Sequence, residues 1–111
     1  MRYRTLAVAA AVLALAGAAP ALAADDEFKL VIENHKFEPA EIVIPANKKV
    51  KLVIENRDAT PEEFESKELR VEKVIPANKT LKLRMPALKA GTYKFFGEYH
   101  EATAKGTIVA E

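Results

Sequence analysis

Apolar and polar residues alternate with a period of two over several short stretches of this chain. Phe28, Leu30 and Ile32 alternate with Lys29, Val31 and Glu33, and Val50, Leu52 and Ile54 with Lys51, Val53 and Glu55. Leu81, Leu83 and Met85 repeat the pattern against Thr80, Lys82 and Arg84. Successive strand side chains point to opposite faces, so each stretch predicts a strand with one face on a core and the other near water. Shorter runs at Glu41–Ile44, Val71–Ile75, Thr92–Phe96 and Thr107–Ala110 extend the series. Glu38-Pro39, Pro45-Ala46-Asn47, Pro76-Ala77-Asn78, Pro86 and Gly91 supply turn and breaker signals between them. About seven short strands at this spacing predict an all-β, antiparallel sandwich. One stretch breaks the rhythm: Thr60 at N-cap, Pro61 at N1 and Glu63 at N3 form a capping box, which predicts a short helical turn near 60–66.

Two internal echoes refine this organisation. KLVIEN occurs at Lys29–Asn34 and again at Lys51–Asn56, while EIVIPANKKVKL (Glu41–Leu52) returns as EKVIPANKTLKL (Glu72–Leu83). The two offsets differ, so they describe no solenoid. The second echo predicts one hairpin design used twice: strand, Pro-Ala-Asn-Lys turn, strand.

The N-terminal stretch has a different character. Arg2 and Arg4 precede an apolar run from Leu6 to Ala19, then Pro20 and Ala21-Leu22-Ala23. A basic segment, an apolar segment and an Ala-x-Ala site in that order predict a cleaved signal peptide at 1–23 and export of a single domain at 24–111. The run falls short of the roughly 20 residues that span a bilayer, so no membrane insertion is expected after cleavage. Without Arg2 and Arg4, 15 basic residues face 16 acidic ones. That balance gives no electrostatic footing for nucleic acid. The chain has no cysteine, so an exported domain of this size must be stabilised by packing, helped where a ligand binds the folded state.

The inventory of reactive groups is narrow. Ser66, the single serine of the domain, has no nucleophile motif around it, and three glycines after Ala23 make no phosphate loop. No enzyme is expected. His100 lies in Gly-Glu-Tyr-His-Glu with Glu98 and Glu101 beside it. Imidazole with carboxylate suits Cu(II), zinc or iron better than soft Cu(I). Taken alone, this spacing describes a surface loop histidine just as well, and His35 in Asn34-His35-Lys36 reads as one with more force.

The segment Asn56-Arg57-Asp58-Ala59-Thr60-Pro61-Glu62, followed by Gly91-Thr92-Tyr93-x-Phe95-x-Gly97-x-x-His100, resembles the two ligand-bearing segments of cupredoxins. Phe37-Glu38-Pro39-Ala40-Glu41-Ile42 is similar to the phrase that leads into an early cupredoxin strand. The resemblance runs over roughly Phe28 to Ala110 and implies a Greek-key β-sandwich. Against the blue-copper pattern, Glu62 stands at the first histidine, Gly97 at the cysteine, and Thr103 or Ala104 near the methionine; His100 alone matches. A type 1 blue-copper site is therefore not expected. The phrases Asp58–Ser66, Glu72–Pro76 and Phe95–Glu101 more closely resemble the EfeO-type cupredoxin-like family of bacterial iron-uptake systems. That resemblance implies a periplasmic protein binding copper, as Cu(II), or iron, with an iron permease or a periplasmic iron-binding protein as partner. Carried onto this chain, it implies a metal site from Glu62 or Glu63, His100, and Glu98 or Glu101. Phe64, Phe95 and Phe96 are assigned to packing. The competing expectation is a metal-free cupredoxin-fold interaction module.

Overall fold

A computed structural model describes residues 26–111, and the predicted signal peptide at 1–23 lies outside them. Nine strands run in chain order: β1 (Asp26–Glu33), β2 (Lys36–Glu38), β3 (Glu41–Ile44), β4 (Val50–Asn56), β5 (Glu62–Ser66), β6 (Val71–Ile75), β7 (Thr80–Met85), β8 (Gly91–Phe96) and β9 (Lys105–Ala110). They form two sheets, ordered β2-β1-β4-β7 and β3-β9-β8-β5-β6. The alternating apolar positions meet between the sheets: Leu30, Ile32, Leu52, Ile54, Phe64, Phe95 and Ile108 are all buried. The β-sandwich read from the alternation forms, with nine strands among the described residues where about seven were expected.

Both sheets are mixed rather than purely antiparallel. β1 pairs in parallel with β4, and β3 with β9. After β2 the chain changes sheet, runs along β3, then returns as β4 beside β1 in the same direction. The KLVIEN echo thus becomes a pair of neighbouring parallel strands, with Lys29 beside Val53 and its ammonium 2.9 Å from Glu55.

The PANK turns are not hairpins. Each carries the chain from the second sheet to the first, β3 to β4 and β6 to β7. Asn47 and Asn78 hold the left-handed conformation these arches need, at φ 61° and 58°, and asparagine tolerates it well. Backbone groups of the arches bond to distant segments: Asn47 N–H donates to Leu88 O, and Asn78 N–H to Asp58 O.

The helical turn expected near 60–66 is absent; Glu62–Ser66 is strand β5. Its inward positions are Glu62, Phe64 and Ser66, so two of the three are polar and the alternation is hidden. Glu63 N–H donates to the Glu62 carboxylate, not to a helical partner, and tertiary pairing with β6 overrides the capping-box preference. Among the described residues, the helical element that does form is a single 3₁₀ turn, Glu98–His100, between β8 and β9.

Candidate metal centre

Three segments converge at one end of the sandwich: the β1–β2 turn, the loop from β4 into β5, and the 3₁₀ turn after β8. Phe37, Phe64 and Phe95 from β2, β5 and β8 form the floor beneath them. Phe95 meets Phe37 edge-on and Phe64 at a tilt, each at 4.9 Å between centroids. These are geometries that aromatic pairs prefer.

The β1–β2 turn presents His35. Asn34 and His35 lie at φ 54° and 60° between paired Glu33 and Lys36. Two left-handed residues in a two-residue connection match a type I′ turn, whose twist suits a hairpin. The Asp58 carboxylate clamps this turn by accepting from Asn34 N–H at 2.8 Å and His35 N–H at 3.0 Å. Thr103 Oγ1 donates to His35 O at 2.5 Å from the opposite side. Burial acts to raise the Asp58 carboxyl, but the His35 and Asn34 N–H groups and the nearby His35 and His100 rings outweigh it. They hold it below the ordinary aspartate value.

The loop from β4 is fixed by Asn56, which is fully buried. Its Nδ2 donates to Thr60 O at 2.9 Å and to Ile75 O at 3.0 Å, with Pro76 O at 3.3 Å. Its Oδ1 accepts from Asp58 N–H at 2.9 Å. Asn56 therefore sets where both Asp58 and β5 stand.

Glu62, the first residue of β5, points inward and is 1% exposed. One carboxylate oxygen accepts from the N–H groups of Glu63 at 2.9 Å and Tyr99 at 3.1 Å. The other lies 2.6 Å from His100 Nδ1. Two backbone N–H groups and one imidazole nitrogen thus surround this buried carboxylate. The His100 ring stacks on His35 with centroids 3.6 Å apart and planes 13° apart.

One donor atom each from His35, Glu62 and His100 lies within 4.8 Å of the other two. His35 Nδ1 is buried without a hydrogen-bond partner, since Asp58 Oδ2 is 3.5 Å away. An orphaned ring nitrogen beside an imidazole and a carboxylate is a donor set that fits a borderline divalent ion. Of the residues the resemblance implied, Glu62 and His100 are brought together here, and His35, read from its local sequence as a surface loop residue, joins them.

Gly97 stands where the Glu62 carboxylate and Ala104 leave no room for a side chain in the present arrangement. A Cβ there would lie 2.6 Å from the Glu62 Cδ, 2.7 Å from its Oε1 and 2.9 Å from the Ala104 Cβ. The backbone at Gly97 is ordinary, at φ −103°, so space and not conformation demands glycine. The Glu62 carboxylate fills the volume a side chain at 97 would need. Gly97→Ala is expected to destabilise the protein by about 1–3 kcal/mol through overpacking, read from a denaturant titration.

Glu63 and Glu98, drawn into the same site by resemblance, belong elsewhere. Glu63 is 4% exposed and faces away from Glu62, beside Glu65, Glu72 and Glu98. Burial first, then the nearby Glu98, Glu65 and Glu72 carboxyls, pushes the Glu63 carboxyl up to about 8. Glu101 is exposed and lines an open surface groove with Lys94 and Lys105. The structure does not gather it with either group.

A cupredoxin-like domain model matches residues 5–110, and the chain belongs to that family. An uncharacterized protein of Rickettsia prowazekii (strain Madrid E) is 40% identical over 83 residues, covering 75% of this chain and 66% of the relative. The match thus spans just under two thirds of the relative. Auracyanin A, a blue copper protein of Chloroflexus aurantiacus, superposes with a TM-score of 0.68 at 15% identity, over 79% of this chain and all of its own. The metal-binding domain of a Streptococcus pneumoniae Cu(I)-exporting P-type ATPase, solved with Cu(I), gives 0.68 at 14% identity over 77% of this chain and 84% of its own. A mutant of amicyanin gives 0.64 at 19% identity over 80% and 86%. These likenesses establish the fold. With no cysteine in the sequence, the blue-copper ligand set is absent.

Proposed function

We propose that this protein binds one metal ion, Cu(II) foremost, on His35, Glu62 and His100. The observation that carries this reading is the meeting of those three donors from loops far apart in sequence, with His35 Nδ1 buried and unpartnered. Among first-row divalent ions, Cu(II) has the highest affinity for such nitrogen and oxygen sites. Glu62 supplies the buried negative charge. The N–H groups of Glu63 and Tyr99 hold its other oxygen and fix its direction. The clamp of Asp58 and Thr103 on the β1–β2 turn positions His35 before any ion arrives. Copper-binding neighbours of the same fold support the reading.

Resemblance to the EfeO-type family supports a finer role: an exported, periplasmic accessory of iron uptake, carrying copper or iron and meeting an iron permease or a periplasmic iron-binding protein. In this role the chain binds and delivers metal rather than turning over a substrate.

Metal analysis and EPR of the purified protein test the site. One Cu(II) per chain with a non-blue spectrum is expected, and His100→Ala should lower the affinity by about 100-fold or more, since even supporting groups are worth 10–100-fold. Equal binding by parent and variant overturns the assignment. Unchanged melting with Cu(II), iron and zinc would instead favour the metal-free interaction module.

A further inference from the structure

The outer face of β5 and β6 carries a second group of carboxylates. Glu63 and Glu65 occupy alternate positions of β5 and so share a face. Glu72 of β6 stands directly opposite Glu65 in the antiparallel register. Glu98 opens the 3₁₀ turn that packs against β5. One oxygen from each of the four lies within 4.8 Å of the others.

Such an arrangement is costly in the folded protein alone. Like charges directly opposite across strands are destabilising, and a buried carboxyl oxygen with no partner forfeits its hydration. Here Glu63 is 4% exposed, and Oε1 of both Glu63 and Glu65 is buried without a hydrogen-bond partner. Among the described residues no lysine, arginine or histidine forms an ion pair with any of the four. Lysines are plentiful in the chain, yet none compensates this cluster.

We propose that Glu63, Glu65, Glu72 and Glu98 form a second cation site, separate from the histidine centre and selective for a hard, oxygen-preferring cation of charge two or three. All-oxygen sets of this kind suit Ca(II), Mn(II) and Fe(III), while the imidazole-bearing centre suits Cu(II). A bound cation gives the orphaned oxygens of Glu63 and Glu65 a partner and offsets the repulsion between Glu65 and Glu72. The sites lie back to back: Glu62 and Glu63 are successive residues of β5, and Glu98 and His100 belong to one turn. Neither shares a ligand with the other, so the second stands whether or not the first binds copper.

The test uses Mn(II) and Ca(II) as probes on the purified protein, with and without saturating Cu(II). One Mn(II) per chain, followed by EPR and displaced by Ca(II), is expected in both conditions. Glu72→Gln, at an exposed position, should weaken Mn(II) by about tenfold or more while leaving Cu(II) affinity unchanged. The same variant should melt a few degrees higher than the parent when metal-free, because a like charge has been removed. Glu65→Gln should repeat both effects. Absence of Mn(II) and Ca(II) binding by the parent, or equal binding by Glu72→Gln, overturns the site. Loss of Mn(II) on adding one equivalent of Cu(II) overturns its separateness.

Discussion

An Asn56→Ala variant is expected to melt roughly 12–24 °C below the parent, corresponding to about 3 kcal/mol in a domain of this size. The side chain is fully buried, and its amide bonds to Thr60 O, Ile75 O, Pro76 O and Asp58 N–H. Truncation leaves several backbone groups without partners, and each orphan costs about 1–3 kcal/mol where water cannot reach it. Asn56→Leu keeps the branched heavy-atom skeleton and fills the site with apolar atoms, so it separates lost bonding from an emptied site; it should fare no better than alanine. Thermal melts of the metal-free protein decide the matter, and a drop under about 4 °C would mean the loops hold their places without the amide. Because Asn56 also places Asp58, and Asp58 clamps His35, the same variant should bind Cu(II) more weakly.

Glu62→Ala should remove Cu(II) binding almost completely, by more than about 100-fold, and lower stability by about 3 kcal/mol. The carboxylate serves the N–H groups of Glu63 and Tyr99 and the His100 ring at once. A metal titration and a denaturant titration give the two numbers. Glu62→Gln keeps the volume and part of the hydrogen bonding, so it should recover most of the stability and little of the copper affinity. If Glu62→Gln bound Cu(II) like the parent, the carboxylate would not be a ligand. Gly97 offers a cross-check, because its missing side chain and the Glu62 carboxylate occupy the same space. Gly97→Ala added to Glu62→Ala should cost less than the two separate penalties combined, as expected for residues in contact.

Legibility from sequence followed the chemistry of the inward positions. β1, β4 and β7 were plain because Leu, Ile, Val and Met fill their buried face, and hydrophobic burial drives strand pairing. β5 was obscured because Glu62 and Ser66 take inward positions, where they answer to the site and not the core. The three-residue β2 is too short to show a period. Turn residues revealed where the chain bends, but a Pro-Ala-Asn-Lys turn reads alike whether the next strand joins the same sheet or the facing one. That choice is made by pairing partners far along the chain, as with β3 against β9. Glu62 and His100 came from resemblance, since local spacing would leave each an ordinary loop residue. His35 escaped because its neighbours in space, Asp58, His100 and Thr103, are remote in sequence. Glu65 and Glu72 escaped because alternating glutamates on a strand read as a solvated face.

The parallel pairings bear on how quickly this protein reaches its native state. β1 cannot join β4, nor β3 join β9, until long stretches of intervening chain have been closed into loops. That closure entropy must be spent before the contacts repay it, and β-sandwiches dominated by non-local pairs fold in about milliseconds to seconds. The β3–β9 pair joins strands far apart in the described residues, so the second sheet is incomplete until β9 is available. Until β9 is in place, β3 and β8 keep unpaired edges, and truncation within β9 should leave the second sheet in that state.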